Sequence, residues 1–264
     1  MKTGFIHKKY GDFEYLVSPL FEDAGVKHCF TTRLGGVSKE EHLASMNIGN
    51  TRGDKEENVI ENVKIVCGAL SFTEKNLSRT NQVHDNKVAI LNEPVEVSVG
   101  CDALVTDKEG IPLLSTSADC VPVLLYDKKK KVAASIHSGW KGTVKKICRE
   151  AVLAMVNNYG SEPSDIIAAI GPSIGKCCFQ VKKDVLDAFS ESFSDTSFIK
   201  EEGDGEHFRA DLWEAVRLTL IEAGLNDENI SLAGECTFCN NDLYFSSRAQ
   251  KGKFGSLGAI IELG

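Results

Sequence analysis

The chain has little of what marks membrane-spanning, secreted or nucleic-acid-binding proteins. Its longest stretch without Asp, Glu, Lys or Arg covers 11 residues, 151–161, about half of the ~20 that a transmembrane helix needs. Residues 1–9 lack the apolar segment of a secretory signal. Lys and Arg number 30 against 38 Asp and Glu, a net charge of −8, which excludes the basic surface of a nucleic-acid binder. We therefore expect a soluble cytoplasmic protein with neither a membrane nor a nucleic acid as partner.

Ordered cysteine motifs are also scarce. The nine cysteines are odd in number and follow no export signal, so they do not indicate a disulfide framework. Cys236 and Cys239 form a single C-x-x-C pair, and the adjacent Cys177 and Cys178 lack the usual spacing of zinc ligands. We expect most thiols to be buried as small apolar groups and no structural zinc site among these four.

The chain contains no internal repeat and no Pro/Gly/Ser-rich linker. Its 264 residues, 42% of them hydrophobic, predict one domain over residues 1–264. Two capping-box patterns, Asp54 with Glu57 and Asp211 with Glu214, predict helix starts. An apolar stripe at helical spacing over 144–156 predicts a third helix.

Short apolar runs between these segments predict buried strands. The predicted strands cover residues 103–106, 111–115, 121–126, 132–136, 166–170, 230–233 and 258–262. Strands and helices do not alternate strictly enough for a doubly wound sheet. The pattern indicates an α/β fold, a single layered domain with a mixed β-sheet core flanked by helices.

Polar residues at the strand ends are the first candidates for chemistry, because strand-end loops hold side chains in place on a rigid scaffold. Cys120 precedes one predicted strand, His137 follows another, and His84 lies in a polar loop. Cys120 and His137 suit a nucleophile–base pair. Alternatively, all three residues suit a zinc ion with one open coordination position. The residues alone leave both readings open, together with purely structural roles.

A set of motifs, in order along nearly the whole chain, resembles the laccase-domain (YfiH-type, "multicopper polyphenol oxidoreductase") family of purine nucleoside phosphorylases. The matching segments are TTRLGGVS (31–38), SMNIG (45–49), NQVH (81–84), DALVT (102–106), ADCVPV (118–123), HSGWKGT (137–143), IGPSIG (170–175), CT (236–237) and FSSR (245–248).

The resemblance implies a zinc site made by His84, Cys120 and His137, with copper as the alternative metal. It implies phosphorolysis of purine nucleosides (adenosine, inosine or methylthioadenosine) by phosphate, and an adenosine deaminase activity. It also implies a fold similar to that of Cys–His toxin hydrolases. Sequence gives no oligomeric state. The expected partners are a small nucleoside and phosphate.

The matching motifs also supply candidates for substrate binding and acid catalysis. Those for substrate or phosphate are Arg33, Asn47, Gln82, Lys141 and Arg248. A guanidinium or ammonium group is the natural ligand of phosphate. Asp102 or Asp119 would protonate the leaving purine if burial raised its pKa. Asp119 has the equal alternative of capping a turn, and Cys120 completes the catalytic set.

Two other enzyme classes remain as alternatives. A copper-dependent polyphenol oxidase needs many histidines for a multinuclear cluster, whereas the chain has six His in all. A metal-free hydrolase would use the Cys120 thiol as nucleophile and His137 as its base. A non-catalytic binding module would leave an open three-ligand site without purpose.

Overall fold

The computed structural model describes residues 1–264. The α-helices are α1 (Pro19–Asp23), α2 (Glu56–Leu70), α3 (Trp140–Val144), α4 (Ile147–Tyr159), α5 (Lys183–Ser192) and α6 (Leu212–Glu222). Short 3-10 helices span Glu74–Asn76, Pro163–Asp165 and Asp227–Asn229. The strands are β1 (Lys2–Thr3), β2 (Ile6–Tyr10), β3 (Phe13–Val17), β4 (Lys27–Thr31), β5 (Ser78–Asn81), β6 (Val88–Ile90), β7 (Val97–Val99), β8 (Ala103–Thr106), β9 (Leu113–Ser117), β10 (Val121–Asp127), β11 (Val132–Ser138), β12 (Ile166–Ile170), β13 (Gln180–Lys182), β14 (Ile199–Glu201), β15 (His207–Ala210), β16 (Ile230–Leu232) and β17 (Leu257–Glu262).

Two seven-stranded mixed sheets form the core. The first has the order β1-β16-β12-β10-β11-β8-β6, and the second β2-β3-β4-β17-β9-β5-β7. In the first sheet β10 pairs antiparallel with β11 and β12, whereas β12 pairs parallel with β16. A small third sheet has the order β13-β15-β14. The predicted fold class, α/β with mixed sheets, is confirmed, and the core contains two large sheets where one was expected.

The two sheets pack face to face between outer layers of helices. Along β10, Val123 and Leu125 face a cluster that includes the apolar sides of α4 and α6. The intervening Leu124 and Tyr126 face the second sheet. Burial on both faces explains why the sequence of β10 is a continuous apolar run rather than an alternating one. Truncating Leu124 to Ala would cost about 2–5 kcal/mol of unfolding free energy.

Helix α2 covers the outer face of the second sheet. Its Val63 and Val66 pack in one cluster with Leu114 of β9 and Ile260 of β17. The layers therefore run helix, sheet, sheet, helix. The longest helix, α2, has 15 residues, and no helix combines the length and apolar character required to cross a membrane.

All seven predicted strands are present: β8 and β12 have the predicted bounds, and the other five differ at one or both ends. β9 begins at Leu113 and continues to Ser117, and β11 continues to Ser138. The Asp211 cap of α6 is confirmed, since its side chain accepts a hydrogen bond from the Glu214 backbone N–H.

Two details of the helix predictions are wrong. Asp54 does not cap α2 as predicted: its carboxylate accepts hydrogen bonds from Ser38 and Asn47, and α2 begins at Glu56. The predicted single stripe over 144–156 is divided between α3 and α4, because Lys146 adopts a left-handed φ of 61°.

The N-terminal hairpin β2–β3 was not predicted, because β2 is polar and exposed and its sequence has no apolar pattern.

Candidate metal centre

The hairpin formed by β10 and β11 brings two of the candidate metal ligands together. The strands pair antiparallel with Val121 opposite Ser138. Cys120 immediately precedes β10 and His137 is the second-last residue of β11, so their side chains lie at the same end of the hairpin. His84 approaches from the loop that follows β5. An irregular sequence spacing thus becomes a compact group because the sheet closes the intervening chain into a hairpin.

The three side chains have the spacing of a metal site. Cys120 Sγ lies 3.9 Å from His84 Nε2, and the rings of His84 and His137 meet edge to face with centroids 4.7 Å apart. One ligand atom from each residue lies within 4.8 Å of the others. In tetrahedral zinc sites sulfur and imidazole nitrogen are about 3.6 Å apart, given bonds of about 2.3 and 2.0 Å. The group therefore fits such an ion after small side-chain movements.

Gly139, directly after β11, has no side chain, and the three candidate ligands occupy the space that a side chain there would need. A Cβ at Gly139 would lie 2.8 Å from His84 Cδ2 and 3.0 Å from Cys120 Sγ. The φ of Gly139 is −69°, a value open to any residue, so the requirement for glycine here is one of space. The sequence at the end of β11 is therefore adapted to the ligand group and not only to the turn.

Asp102 fixes the orientation of two of the candidate ligands. It is fully buried, and its Oδ1 lies 2.8 Å from His137 Nδ1. The same oxygen accepts the His84 backbone N–H at 3.0 Å, and Oδ2 accepts that of Asp85 at 2.9 Å. These bonds hold His84 in its left-handed backbone conformation, φ 58°. A carboxylate behind a ligating imidazole is the usual support of a metal-bound histidine, and it leaves His137 Nε2 for the ion.

Cys120 and His137 shift one another's ionisation. Burial raises the pKa of the Cys120 thiol, but the imidazoles of His137 and His84 outweigh it and lower that pKa to about 6. Burial lowers the pKa of His137, but the Cys120 thiolate and the Asp102 carboxylate outweigh it and raise that pKa to about 9. At neutral pH the pair is therefore a thiolate beside an imidazolium, with the sulfur already in the state that binds metals.

Cys120 lies in the wall of a pocket of about 390 Å³, within the size range of small-molecule sites. Trp140, Ile174 and Phe179 supply apolar walls, and Arg248 and Lys251 supply cations. A larger cavity of about 650 Å³ lies beside α2, but it contains none of the candidate ligands. The smaller pocket is therefore the one in which reactive side chains and an apolar surface meet.

Of the three predicted phosphate ligands, only Arg248 lines this pocket. The Arg33 guanidinium donates to the backbone carbonyls of Ala44, Asn241 and Glu41, so it organises a loop. Lys141 lies in the first turn of α3 with its ammonium 5.6 Å from the ring centroid of Trp140, outside the residues that line the pocket.

The two predicted amide contacts also serve the protein's own backbone. Asn47 is buried, and its Oδ1 accepts the backbone N–H groups of Gly49 and Ser256. Gln82 exchanges a pair of hydrogen bonds with the backbone of Thr116 in β9, each 2.8 Å long. This pairing anchors the start of the loop that carries His84.

The acid role considered for Asp102 and Asp119 required a raised pKa. Burial raises the pKa of Asp102, but the hydrogen bond from His137 and those from the backbone outweigh it and lower the value. Asp102 is thus a carboxylate acceptor. Asp119 lines the pocket, and its two oxygens accept hydrogen bonds from Thr237 Oγ1 and the Arg248 backbone N–H, both 2.7 Å long. It joins the Cys120 loop to the segments that carry those residues.

Several pocket residues gave no individual signal in the sequence. Trp140, Ile174 and Phe179 resemble ordinary core residues until the fold places them around Cys120.

Arg52 is a further cation near the centre. Its guanidinium lies 4.2 Å from the Phe254 ring centroid; burial lowers its pKa, and the charge on Cys120 opposes that shift. Lys251 lies beyond the matching segment that ends at Arg248 and gave no signal of its own.

A second group of cysteines comes together in a way that the sequence did not reveal. One sulfur from each of Cys177, Cys178, Cys236 and Cys239 lies within 4.8 Å of the others. The spacing of these residues gave no reason to expect a common site. The fold nevertheless brings them together at one edge of the pocket region.

The fold and the centre define an α/β protein with a Cys–His metal-type site beside an apolar pocket. Residues 27–264 match the family model described as "Multi-copper polyphenol oxidoreductase laccase", and the chain belongs to this family. The family resemblance drawn from the sequence motifs is therefore confirmed.

Proteins of similar sequence or structure align with most of this chain. A Bacteroides thetaiotaomicron protein named purine nucleoside phosphorylase is 36% identical, covering 85% of this chain and 87% of its own. The Bacillus subtilis purine nucleoside phosphorylase YlmD is 34% identical, covering 88% of this chain and 86% of its own. The crystal structure of YlmD from Geobacillus stearothermophilus superposes with a TM-score of 0.91 at 30% identity, covering 98% of this chain and 99% of that one.

Proposed function

We propose that this protein is a zinc-dependent purine nucleoside phosphorylase that also deaminates adenosine. The observation that carries the proposal is the joining of a three-ligand centre (His84, Cys120, His137) to a pocket with aromatic walls and cations. The relatives named purine nucleoside phosphorylase support the substrate class. Adenosine, inosine and methylthioadenosine are the candidate nucleosides, and phosphate is the co-substrate.

In the proposed phosphorolysis, the bond between C1′ of the ribose and the purine nitrogen breaks. A bond between C1′ and an oxygen of hydrogen phosphate forms, and the base leaves with the proton that the phosphate gives up. Phe179 and Trp140 provide flat apolar surfaces for the purine. Arg248 and Lys251 provide positive charge for phosphate in the same pocket, with the Arg248 guanidinium 5.7 Å from the ring centroid of Phe179. With a net charge of −8, only local cations of this kind can hold an anion.

His84, Cys120 and His137 would hold the zinc ion, which supplies Lewis-acid chemistry toward the purine or a water molecule when bound. Asp102 keeps the two imidazoles aimed at one point through its bonds to His137 Nδ1 and to the backbone of His84. Asp119 holds the Arg248 backbone near Cys120. We assign both carboxylates positioning roles rather than the role of acid.

In the proposed deamination, water adds at C6 of adenosine and ammonia leaves, giving inosine. Both reactions use purine nucleosides, so one pocket serves both. Inosine formed by deamination is then itself a substrate for phosphorolysis. The ratio of the two activities sets whether adenine or hypoxanthine accumulates.

The experiment that tests the proposal supplies adenosine or inosine with and without phosphate. Free base and ribose 1-phosphate are measured together with ammonia. We expect base release to require phosphate and to match ribose 1-phosphate mole for mole. Exposed His7 on β2 offers a control, His7→Ala, that keeps both activities, whereas His137→Ala loses both. Absence of phosphate-dependent base with zinc-replete protein overturns the phosphorylase proposal.

A metal-free Cys–His hydrolase is the second candidate, favoured by one observation. Cys120, His137 and Asp102 stand in the order of thiol, imidazole and carboxylate, and the pKa of the thiol is lowered to about 6. Such an enzyme would survive chelation and be inactivated by alkylation of Cys120. A zinc enzyme would lose activity to the chelator and regain it with zinc.

Of the three candidate functions, a copper-dependent polyphenol oxidase has the least support. Apart from His84 and His137, no histidine belongs to a group of metal-type ligands. His28, for example, is buried between the backbone N–H of Ser18 and the carbonyl of Val26. A multinuclear copper cluster therefore has no ligand set in this chain. Phenol turnover by copper-loaded protein above that of free copper would restore this reading.

A further inference from the structure

We propose that Cys177, Cys178, Cys236 and Cys239 form a second metal site, a closed four-thiolate zinc site that stabilises one wall of the pocket. It shares no residue with the group of His84, Cys120 and His137. Four protein ligands leave no open position, which is the mark of a structural rather than a catalytic zinc ion. The proposal does not depend on the reaction that the pocket performs.

The sulfur positions support this assignment. Cys239 Sγ lies 3.3 Å from Cys178 Sγ and 3.6 Å from Cys177 Sγ, and all four sulfurs lie within 4.8 Å of one another. Sulfurs around tetrahedral zinc are about 3.8 Å apart, given a Zn–S bond of about 2.3 Å. All four residues are free thiols. A single disulfide would use two of these sulfurs and leave the convergence of the other two without a role.

Backbone pairing explains why cysteines so far apart in sequence converge. Ser173 forms an isolated parallel bridge with Cys236. On one side Ser173 N–H donates to the carbonyl of Glu235, and on the other Thr237 N–H donates to the carbonyl of Ser173. The two cysteine pairs extend from this bridge, each through a tight turn.

Each turn directs its two sulfurs to the same point. In the first, the N–H groups of Cys178 and Phe179 both donate to the carbonyl of Gly175. In the second, Asn240 N–H donates to the carbonyl of Cys236, a helical turn that places positions i and i+3 on one side. The Gly175 N–H also donates to Cys236 Sγ at 3.2 Å, the kind of bond that supports a metal-bound thiolate.

Gly175, in the turn before Cys177, must be a glycine because the two loops that carry the four cysteines are in close contact there. A Cβ at Gly175 would lie 3.3 Å from Cys177 Sγ, 3.3 Å from Cys236 Cβ and 3.0 Å from Trp213. Its φ is not in the left-handed region, so space and not backbone conformation excludes a side chain.

Nearby cations compensate the charge of the proposed site. Four thiolates around one zinc ion carry a net charge of about −2. Arg209 Nη1 donates to the carbonyl of Cys177 at 2.8 Å, and Arg248 Nη1 donates to that of Gln180 at 3.3 Å. Lys176 is adjacent in sequence. The compensation is partial, because Arg209 Nε also pairs with Glu202 at 2.6 Å and Lys176 Nζ with Asp211 at 3.6 Å.

The site is built into the pocket wall. Ile174 and Phe179, on either side of the Gly175 turn, both line the pocket. On the other arm, Thr237 follows Cys236 and donates to Asp119, the neighbour of Cys120. A zinc ion holding both arms would therefore fix the apolar wall and the Cys120 loop relative to each other. Without the ion, these arms are joined only by the backbone bridge and side-chain bonds.

The test is the zinc content of the purified full-length chain, measured by elemental analysis. We expect two equivalents in the unaltered protein, one in Cys239→Ser and one in His137→Ala. Cys101→Ser is the matched control, since Cys101 is a free cysteine outside both groups whose bond to Ser98 a hydroxyl can keep. It should retain two equivalents.

A second measurement starts from the unaltered protein. In the zinc-loaded protein, Cys177 and Cys239, although exposed, should resist alkylation and become reactive after chelation. Cobalt replacement should give the intense thiolate-to-cobalt bands of a four-sulfur site, and these should be retained in His137→Ala. One zinc per chain with no loss in Cys239→Ser, or a Cys178–Cys239 disulfide in protein purified without oxidant, overturns the proposal.

Discussion

The carboxylate of Asp102 lies 2.8 Å from Nδ1 of His137, with both residues buried. This one contact fixes which imidazole nitrogen faces Cys120, and the same carboxylate shapes the loop that carries His84. Asp102 is therefore the residue on which the geometry of the whole centre depends, although it touches neither the pocket nor the proposed ion.

The first prediction concerns this support. Asp102→Asn keeps the size of the side chain but replaces a carboxylate oxygen that accepts N–H groups by an amide that donates. We expect zinc affinity to fall by about 10–100-fold, the usual cost of losing such a support. Competition with a chromophoric chelator measures it. Asp195→Asn, in an exposed loop, is the control, and equal affinities in the two variants would contradict the assigned role.

The second prediction is a pH dependence of zinc binding. Between pH values of about 6 and 9, set by the pKa values of Cys120 and His137, the pair holds one proton, on His137. Zinc must displace this proton, so its affinity should rise about tenfold per pH unit across that window. Titrations of chelator-treated Cys239→Ser protein, which isolates the centre, measure it. A flat profile would show that the pair is not protonated as described.

The third prediction uses the space at Gly139. Gly139→Ala adds a methyl group within 3.0 Å of His84 and Cys120, so it should displace the ligands and lower zinc affinity while the fold persists. Gly68→Ala in α2 is matched, because nothing lies within 4 Å of its added Cβ. It should keep zinc and gain up to about 1 kcal/mol of unfolding free energy. Thermal unfolding and zinc titration of both variants separate the two effects, and unchanged zinc affinity in Gly139→Ala would exclude the crowding.

The fourth prediction separates Arg248 from Arg33. Arg248→Ala removes a cation from the pocket and should raise KM for phosphate by about 10–100-fold, the cost of a charged hydrogen bond. Arg33→Ala removes bonds to three backbone carbonyls and should lower the unfolding free energy by about 1–3 kcal/mol with KM unchanged. The opposite pattern in steady-state kinetics and denaturant unfolding would reverse the two assignments.

The sequence predicted those parts of the fold that depend on local pattern. The apolar run of β10 is legible because both of its faces are buried. His84, Cys120 and His137 could be named as candidates because they lie at strand ends or in a loop, but only the family resemblance favoured the metal site over purely structural roles. Their convergence follows from one hairpin and one loop, and before the structure it was only what the family resemblance implied.

Features that depend on side-chain direction or long-range pairing were not predictable. Arg33 and Asn47 lie in matching motifs, yet their side chains turn to the backbone, which no spacing rule reveals. The four-cysteine group depends on the bridge between Ser173 and Cys236, a pairing across a long stretch of chain. The hairpin β2–β3 lacked signal because β2 has no buried residue.

The most direct test of the account follows phosphorolysis of inosine as zinc is titrated into chelator-treated Cys239→Ser protein, in which the proposed second site is removed. Hypoxanthine and ribose 1-phosphate should appear in equal amounts, in proportion to zinc bound, and reach a plateau at one equivalent. The His137→Ala, Cys239→Ser double variant should stay inactive at every zinc concentration. Full phosphorolysis by the chelated protein, or by the double variant, would contradict a zinc-dependent centre at His84, Cys120 and His137.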